Sequence, residues 1–257
     1  MNKTDPLFSS KLKADRAKRH IVELNNGIID YIKSKPYRVV VEQGTNSPNH
    51  LWTLRVRNEV PHNFAVIIGD AIHNLRSALD LLASDLVELN GGNTKDVYFP
   101  FCESADNLES AITNRHIGRA GEDVVEIIRS LKPYKGGNEM LRAIHDLDIT
   151  DKHKALIPAT HYVGIKNFQM VNASGPLITI NGLHVGPIED GKVLMSLPPA
   201  VNIKVGQYFQ PSFEITFGEG QPLAGKPIFE TLHDLAKIVN DIIDTFSVHI
   251  SKTGPAA

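Results

Sequence analysis

The residues Gly69-Asp70-Ala71-Ile72-His73-Asn74-Leu75-Arg76-Ser77-Ala78-Leu79-Asp80-Leu81 sit inside an apolar-periodic run that predicts one long helix over about 61–90. At about 100° per residue, Phe64, Ile68, Ala71, Ile72, Leu75, Ala78, Leu79, Leu82 and Leu86 fall on one broad arc. Asp70, His73, Asn74, Arg76, Ser77, Asp80 and Ser84 fall on the opposite arc. That polar arc carries no Lys or Glu before Glu88, so it does not read as an ordinary solvated face. Its compact hydrogen-bonding groups suit a buried polar seam or a site. Leu81 lands inside this arc, between Asp70 and Asn74. An apolar residue there either packs against a neighbour or stands in place of a functional side chain.

Upstream, Ser9 and Ser10 are candidate caps for a helix that runs to about residue 35, where Pro36 stops it. Ala17, Ile21, Leu24, Ile28 and Tyr31 form its apolar stripe. Lys11, Lys13, Arg16, Lys18 and Arg19 make its first turns basic, which reads as a solvated face before it reads as a phosphate-contacting patch. Gly27 costs up to about 1 kcal/mol in a helix relative to alanine, so it predicts close packing or a kink. Residues 37–42 and 51–57 alternate in strand fashion across a Gly44–Asn49 loop and predict a β-hairpin at 37–57. Trp52 shares a face with Leu54 and Val56 and reads as core.

Downstream, Asn90-Gly91-Gly92-Asn93 ends the long helix. Tyr98-Phe99-Pro100-Phe101 is a short extended plug for the helical core. Shorter helices are predicted over about 105–116, 121–131 and 138–149. A second dense polar stretch, Asp146-Leu147-Asp148-Ile149-Thr150-Asp151-Lys152-His153-Lys154, falls at the boundary where the helical patterns end. Between residues 155 and 221 the character changes. Eight of the 15 prolines lie from Pro158 to Pro227, between short β-rich runs at 168–171, 177–180, 193–197, 201–205 and 212–217. That alternation predicts an antiparallel sheet or small sandwich. A last amphipathic helix over about 228–250 buries Leu232, Leu235, Ile238, Val239, Ile242, Ile243 and Phe246. Its other face, with Glu230, His233, Lys237, Asn240, Asp241 and Asp244, reads as solvated. The predicted class is therefore α+β. It is mainly a helical bundle (1–154, with the hairpin), a β-rich module inserted at 155–224, and a C-terminal helix (225–257) packing back on the bundle.

Composition narrows the function. A chain of 257 residues is long enough for a substantial core. A net charge of −2 argues against bulk electrostatic attachment to nucleic acid or membrane, though not against a local basic patch. A single cysteine, Cys102, rules out an internal disulfide and a cysteine-rich zinc site. The start has no apolar core of the signal-peptide kind, and no apolar run reaches the length that spans a bilayer. The expectation is a cytoplasmic protein with no membrane partner and no bound cofactor or metal.

Three chemistries compete on the polar arc. Asp70 and His73 are in reach at i,i+3, His73 and Ser77 at i,i+4, and Arg76 can pair with Asp80 at i,i+4. A Ser–His–Asp hydrolase is disfavoured, because a nucleophile in mid-helix lacks the strained elbow and the oxyanion nest. A metal-dependent enzyme would join Asp70 and His73 to Asp148, Asp151 or His153, a mixed set for Zn, Fe or Mn. The third option is a non-catalytic interaction module in which the β-region supplies the binding surface and the polar seam only stabilises the bundle.

The motif Gly69-Asp70-x-x-His73-Asn74-x-Arg76-Ser77-Ala78-Leu79-Asp80, with Asp151-Lys152-His153-Lys154 about seventy residues later, resembles a widespread group of uncharacterised bacterial proteins. The likeness extends over most of the chain and includes Phe99-Pro100 and Leu131-x-Pro133-Tyr134. In that group a histidine usually comes directly after the aspartate matching Asp80, forming Arg-x-x-x-x-His, which looks like the signature of HEPN-type helical ribonucleases. In those proteins an arginine and a histidine near a dimer interface cleave RNA without metal. Here Arg76 matches the arginine, and Leu81 stands where the histidine would be. Arg57-x-x-x-x-His62 also fits the pattern but straddles Pro61. The resemblance implies a HEPN-like homodimer that binds or cleaves RNA, in a defence or toxin–antitoxin setting. It implies Arg76 as a phosphate-binding or charge-stabilising group, and with His73 or His153 as the surrogate base the catalytic candidates are His73, Arg76, Asp80 and His153. Asp70, Asn74, Ser77, Asp151 and Lys152 are the substrate-binding candidates.

Overall fold

The computed structural model describes residues 5–45, 47–154, 159–166, 168–172, 175–180, 183–198 and 210–253. Among them the class is α+β, with six α-helices and short antiparallel sheets. Helix α1 spans Phe8–Lys33, and strands β1 (Tyr37–Gln43) and β2 (His50–Val56) form the expected hairpin. Its register sets Tyr37 opposite Val56 and Gln43 opposite His50. Helix α2 spans Asn63–Leu89, helix α3 Leu108–Asn114, helix α4 Glu122–Leu131, helix α5 Glu139–Lys154 and helix α6 Ile228–Thr253. Between α5 and α6 come β3 (Ala159–Lys166), β4 (Phe168–Asn172), β5 (Gly175–Ile180), β6 (Leu183–Pro187), β7 (Val193–Leu197) and β8 (Gln210–Phe217).

Helix α2 is the axis of the core. Ile68, Ala71, Ile72, Leu75, Ala78, Leu79 and Leu82 are sealed from solvent on the arc the periodicity assigned them. A fully buried Leu or Ile contributes roughly 2 kcal/mol through lost apolar surface, so this stripe is a main source of stability. Helix α1 lies along it, and Gly27 shows why: a Cβ there would meet Phe64 Cε1 at 2.8 Å. Phe99 and Phe101 are buried in the same core, as the plug reading expects. Their segment runs beside the end of α4, where the Cys102 N–H donates to Pro133 O at 3.2 Å. Leu232, Leu235, Val239, Ile242, Ile243 and Phe246 bring α6 into that core from the far end of the chain.

Four details depart from the sequence reading. Helix α1 begins at Phe8, ahead of Ser9, and Asp5 Oδ1 accepts the Leu7 N–H at 3.0 Å. The Asp5-Pro6 turn supplies the cap, and the Ser10 hydroxyl turns back to Leu7 O. The helix predicted over 105–116 is only α3, flanked by 3-10 turns at Ala105–Asn107 and Ile117–Ala120, because His116 adopts a left-handed φ of 57°. Helix α5 continues through Asp151, Lys152 and His153 instead of ending near residue 149. Strand β7 leaves its sequence neighbours and pairs with β2, Trp52 facing Met195. The expected strand at 201–205 lies outside the described residues.

Candidate functional site

The polar arc of α2 faces α5, and Gly69 leaves space between them for a side chain of α5. A Cβ on Gly69 would stand 2.6 Å from Asp151 Oδ1, so the glycine gives that carboxylate room against the α2 backbone. One helical turn along, His73 meets α5 as well. Its Nδ1 is 3.0 Å from Asp148 Oδ1. A carboxylate only accepts, so Nδ1 carries the proton and donates. In the neutral ring Nε2 is then the acceptor, and the Ser77 hydroxyl lies 3.4 Å from it. Asp148 is held from its other side by Lys152 Nζ at 2.6 Å from Oδ2. Exposure divides the pair sharply: the Asp148 side chain is 4% exposed and that of His73 is 50% exposed. The orienting carboxylate is therefore inside, and the ring it orients reaches the surface.

Asp151 sits in the same corner. Burial, then the neighbouring Asp148 and Asp70 carboxylates, push its pKa above the usual aspartate value, while His73 and Lys152 pull the other way. The charged form is disfavoured first by burial and then by the two neighbouring carboxylates. Asp70 is exposed, and its carbonyl accepts a hydrogen bond from buried Asn74 Nδ2 at 2.7 Å, a contact within α2. His153 and Lys152 are exposed on the last turn of α5, and among the described residues no hydrogen bond or ion pair joins His153 to the cluster. Leu81 is half-buried.

Arg76 and Asp80 belong to a different environment. Arg76 is buried, its guanidinium carbon 4.8 Å from the centroid of the Phe101 ring. Its Nε donates to His145 Nδ1 at 3.4 Å. Its Nη1 stands 2.5 Å from Asp80 Oδ1 as an ion pair, without the alignment of a hydrogen bond. The same Asp80 oxygen accepts the Phe99 N–H at 2.9 Å. His145 stacks on Phe101 with ring centroids 5.0 Å apart. Burial first, then the Arg76 and Arg142 cations, drive the His145 pKa down to about 4, so this imidazole stays neutral. The Arg76–Asp80 pair is a clamp that fixes the Phe99–Phe101 segment on α2.

The structure thus splits the sequence candidates into two sets. Asp70, His73, Ser77, Asp151 and Lys152 gather where α2 meets α5, while Arg76 and Asp80 are tied under Phe101 and His145. Asp148 is the partner of His73; the i,i+3 reading had put Asp70 in that role. His145 and Phe101 also escaped the sequence reading as parts of a site. The sequence offers Asp148, Asp151 and His153 together as groups that could join His73, and which of them it meets is decided by the crossing of two helices, at residues 75 apart in sequence. Among the described residues no three His, Cys, Asp or Glu groups converge in a way that could hold a metal ion. A groove of about 530 Å³ is lined by Ile127, Asp241, Thr245, Val248, His249 and neighbours on α4 and α6, and none of them belongs to the cluster. No helix among the described residues is long and apolar enough to cross a membrane.

No protein-family model matches the chain, and neither a curated protein nor a solved structure matches it.

Proposed function

We propose that the chain is a HEPN-like homodimeric protein that binds RNA and cleaves it without a metal, in a cytoplasmic defence or toxin–antitoxin role. The observation that carries this reading is the half-exposed His73 with its Nδ1 anchored on a buried aspartate. Such a ring is a general base with a fixed tautomer, and its basic nitrogen is Nε2, beside the Ser77 hydroxyl. The RNA class comes from the resemblance of the Gly69–Asp80 motif.

In the proposed step, His73 Nε2 takes the proton of a ribose 2′-hydroxyl. The 2′ oxygen attacks the adjacent phosphorus, the bond to the 5′ oxygen breaks, and a 2′,3′-cyclic phosphate forms. The leaving oxygen takes a proton from solvent water; Asp151 beside the site has its pKa raised by burial and by the Asp148 and Asp70 carboxylates. Lys152 spends one N–H on Asp148 and keeps two for a phosphate oxygen. His153, exposed next to it, is the second cationic candidate. Arg76, buried beneath Phe101, supports α2 from behind in this scheme.

The test is incubation of purified protein with varied single- and double-stranded RNAs in the presence of a chelator. Cleavage in chelator, lost by about 10²–10⁴-fold in His73→Gln, is the expected result. Intact RNAs, or a His73→Gln variant that cleaves as well as the original, overturn the reading. Cleavage that disappears with chelator points instead to the metal-dependent alternative on Asp70, His73, Asp151 and His153.

A further inference from the structure

We infer that Asp148, His73 and Ser77 form a proton relay that makes the Ser77 hydroxyl a nucleophile toward acyl and phosphonyl electrophiles. This goes beyond the RNA reading and does not rest on it, although the two share His73. The argument is geometric. Asp148 Oδ1 to His73 Nδ1 is 3.0 Å, and His73 Nε2 to Ser77 Oγ is 3.4 Å. The order is carboxylate, imidazole, hydroxyl, with each bond made through the correct ring nitrogen. The carboxylate is buried and the hydroxyl lies at the surface end. Lys152 occupies the second oxygen of Asp148, which leaves Oδ1 for the ring. A nucleophile–base contact near 3.4 Å is loose, and such contacts tighten when a substrate is bound.

Ser77 lies in the middle of α2, the position that disfavours a hydrolase. That position limits what the relay achieves. A positioned general base accelerates proton removal by about 10²–10⁴. The backbone N–H groups around Ser77 are committed to the helix ladder and offer no oxyanion nest, and one missing oxyanion donor costs about 10²–10³. The two effects are comparable. The relay therefore yields an activated serine that is modified stoichiometrically by a reactive ester or phosphonate, with slow turnover. In the step, Ser77 Oγ attacks the acyl carbon or phosphorus and its proton passes to His73 Nε2. The bond to the leaving group then breaks, and the leaving group departs carrying the electron pair and receives that proton. A water molecule, deprotonated by the same nitrogen, later hydrolyses the acyl product.

The experiment uses the full chain and a reporter-tagged fluorophosphonate, with the labelled residue located by peptide mass. Label on Ser77 of the folded protein, absent in Ser77→Ala, slowed by at least about 10²-fold in His73→Gln and absent from the urea-unfolded chain, is the expected outcome. Circular dichroism and a thermal melt establish that each variant is folded. Because half-exposed His73 is not part of the core, His73→Gln keeps the test decisive even if Asp148→Asn unfolds. No label on Ser77, or an equal rate in His73→Gln or in urea, overturns the relay. Labelled protein that leaves RNA intact overturns only the RNA reading. Unlabelled protein that cleaves RNA overturns only this one.

Discussion

At the scale of single residues, His73 and Arg76 lie on the same arc of one helix yet do different things, and the difference is burial. Arg76 has an aromatic face on one side, an imidazole acceptor on another and the Asp80 carboxylate at its end. Truncation leaves Asp80 without its cation and removes the packing against Phe101. Breaking a buried pair costs about 3–5 kcal/mol; Asp80 is partly solvated, so Arg76→Ala is expected to lower unfolding free energy by about 3 kcal/mol in urea titration. His73→Gln, at a half-exposed position, is expected to cost at most about 1.5–3 kcal/mol, the worth of a hydrogen bond to a charged group, because Asp148 is buried and keeps Lys152 as its other partner. An Arg76→Ala variant as stable as the parent would mean that the clamp is incidental. A His73→Gln variant that unfolds readily would place His73 among the structural groups and weaken both catalytic proposals.

At the scale of elements, Gly69 is where the Asp151 side chain of α5 lies against α2. The atoms a Cβ would meet there are the end of the Asp151 side chain, which can swing aside, so Gly69→Ala is expected to change stability by no more than about 1 kcal/mol, the helix propensity of alanine offsetting the displaced carboxylate. In an Asp151→Ala background the obstacle is gone, and the same change is expected to be neutral or to stabilise by up to about 1 kcal/mol. A double-mutant cycle that shows no coupling would mean that α5 shifts freely past residue 69. This crossing also marks where the sequence stops being informative. Helix α2, its buried stripe, the hairpin and the solvated face of α6 were legible, because periods of 3.6 and 2 record which face meets the core. The close approach at Gly27 was legible too, since a costly glycine in a helix needs a reason. Strands β3 and β6 were not, as Gly164, Gly186 and Pro187 interrupt the apolar signal within them. The pairing of β7 with β2 joins segments about 140 residues apart, and no local pattern encodes it. The site was half legible for the same reason. His73, Ser77 and Asp151 stood out by type, while the choice of Asp148 over Asp70 was made by the helix crossing.

At the scale of the whole molecule, two half-buried groups pull the pH dependence of stability in opposite directions. His145 has a folded pKa depressed to about 4 by burial and by two nearby cations, against 6.5 in an unfolded chain. A depressed histidine contributes stability that is present above 6.5 and is lost as pH falls toward 4, because the unfolded chain binds the proton first. Asp85 behaves in the reverse sense. Burial, then the Glu88 carboxylate, raises it to about 6, while the Ser10 backbone N–H at the start of α1 pulls the other way. One of its oxygens, Oδ2, is buried without a partner among the described residues. A raised aspartate contributes stability that is present below its unfolded value near 3.8 and is lost as pH rises through about 6, so at neutral pH its charge is a net cost. Both groups keep partial contact with solvent, which screens the effect, so each is worth about 1–2 kcal/mol rather than the full linkage value. The expected profile of the parent protein between about pH 7 and pH 4 is therefore flatter than either group alone would give. Asp85→Asn keeps an acceptor for the Ser10 N–H and removes the charge. It is expected to raise the unfolding free energy at pH 7 by about 1 kcal/mol, with the gain shrinking to nothing near pH 4. His145→Gln keeps an acceptor for Arg76 and removes the titration, and its deficit relative to the parent is expected to narrow as pH falls from 6.5 to about 4. Urea titrations at about pH 7, 5.5 and 4 on the three proteins separate the two contributions. Parallel curves for parent and Asp85→Asn across that range would show that the Asp85 carboxylate is ionised in the folded protein at no cost, and that the end of α1 solvates it.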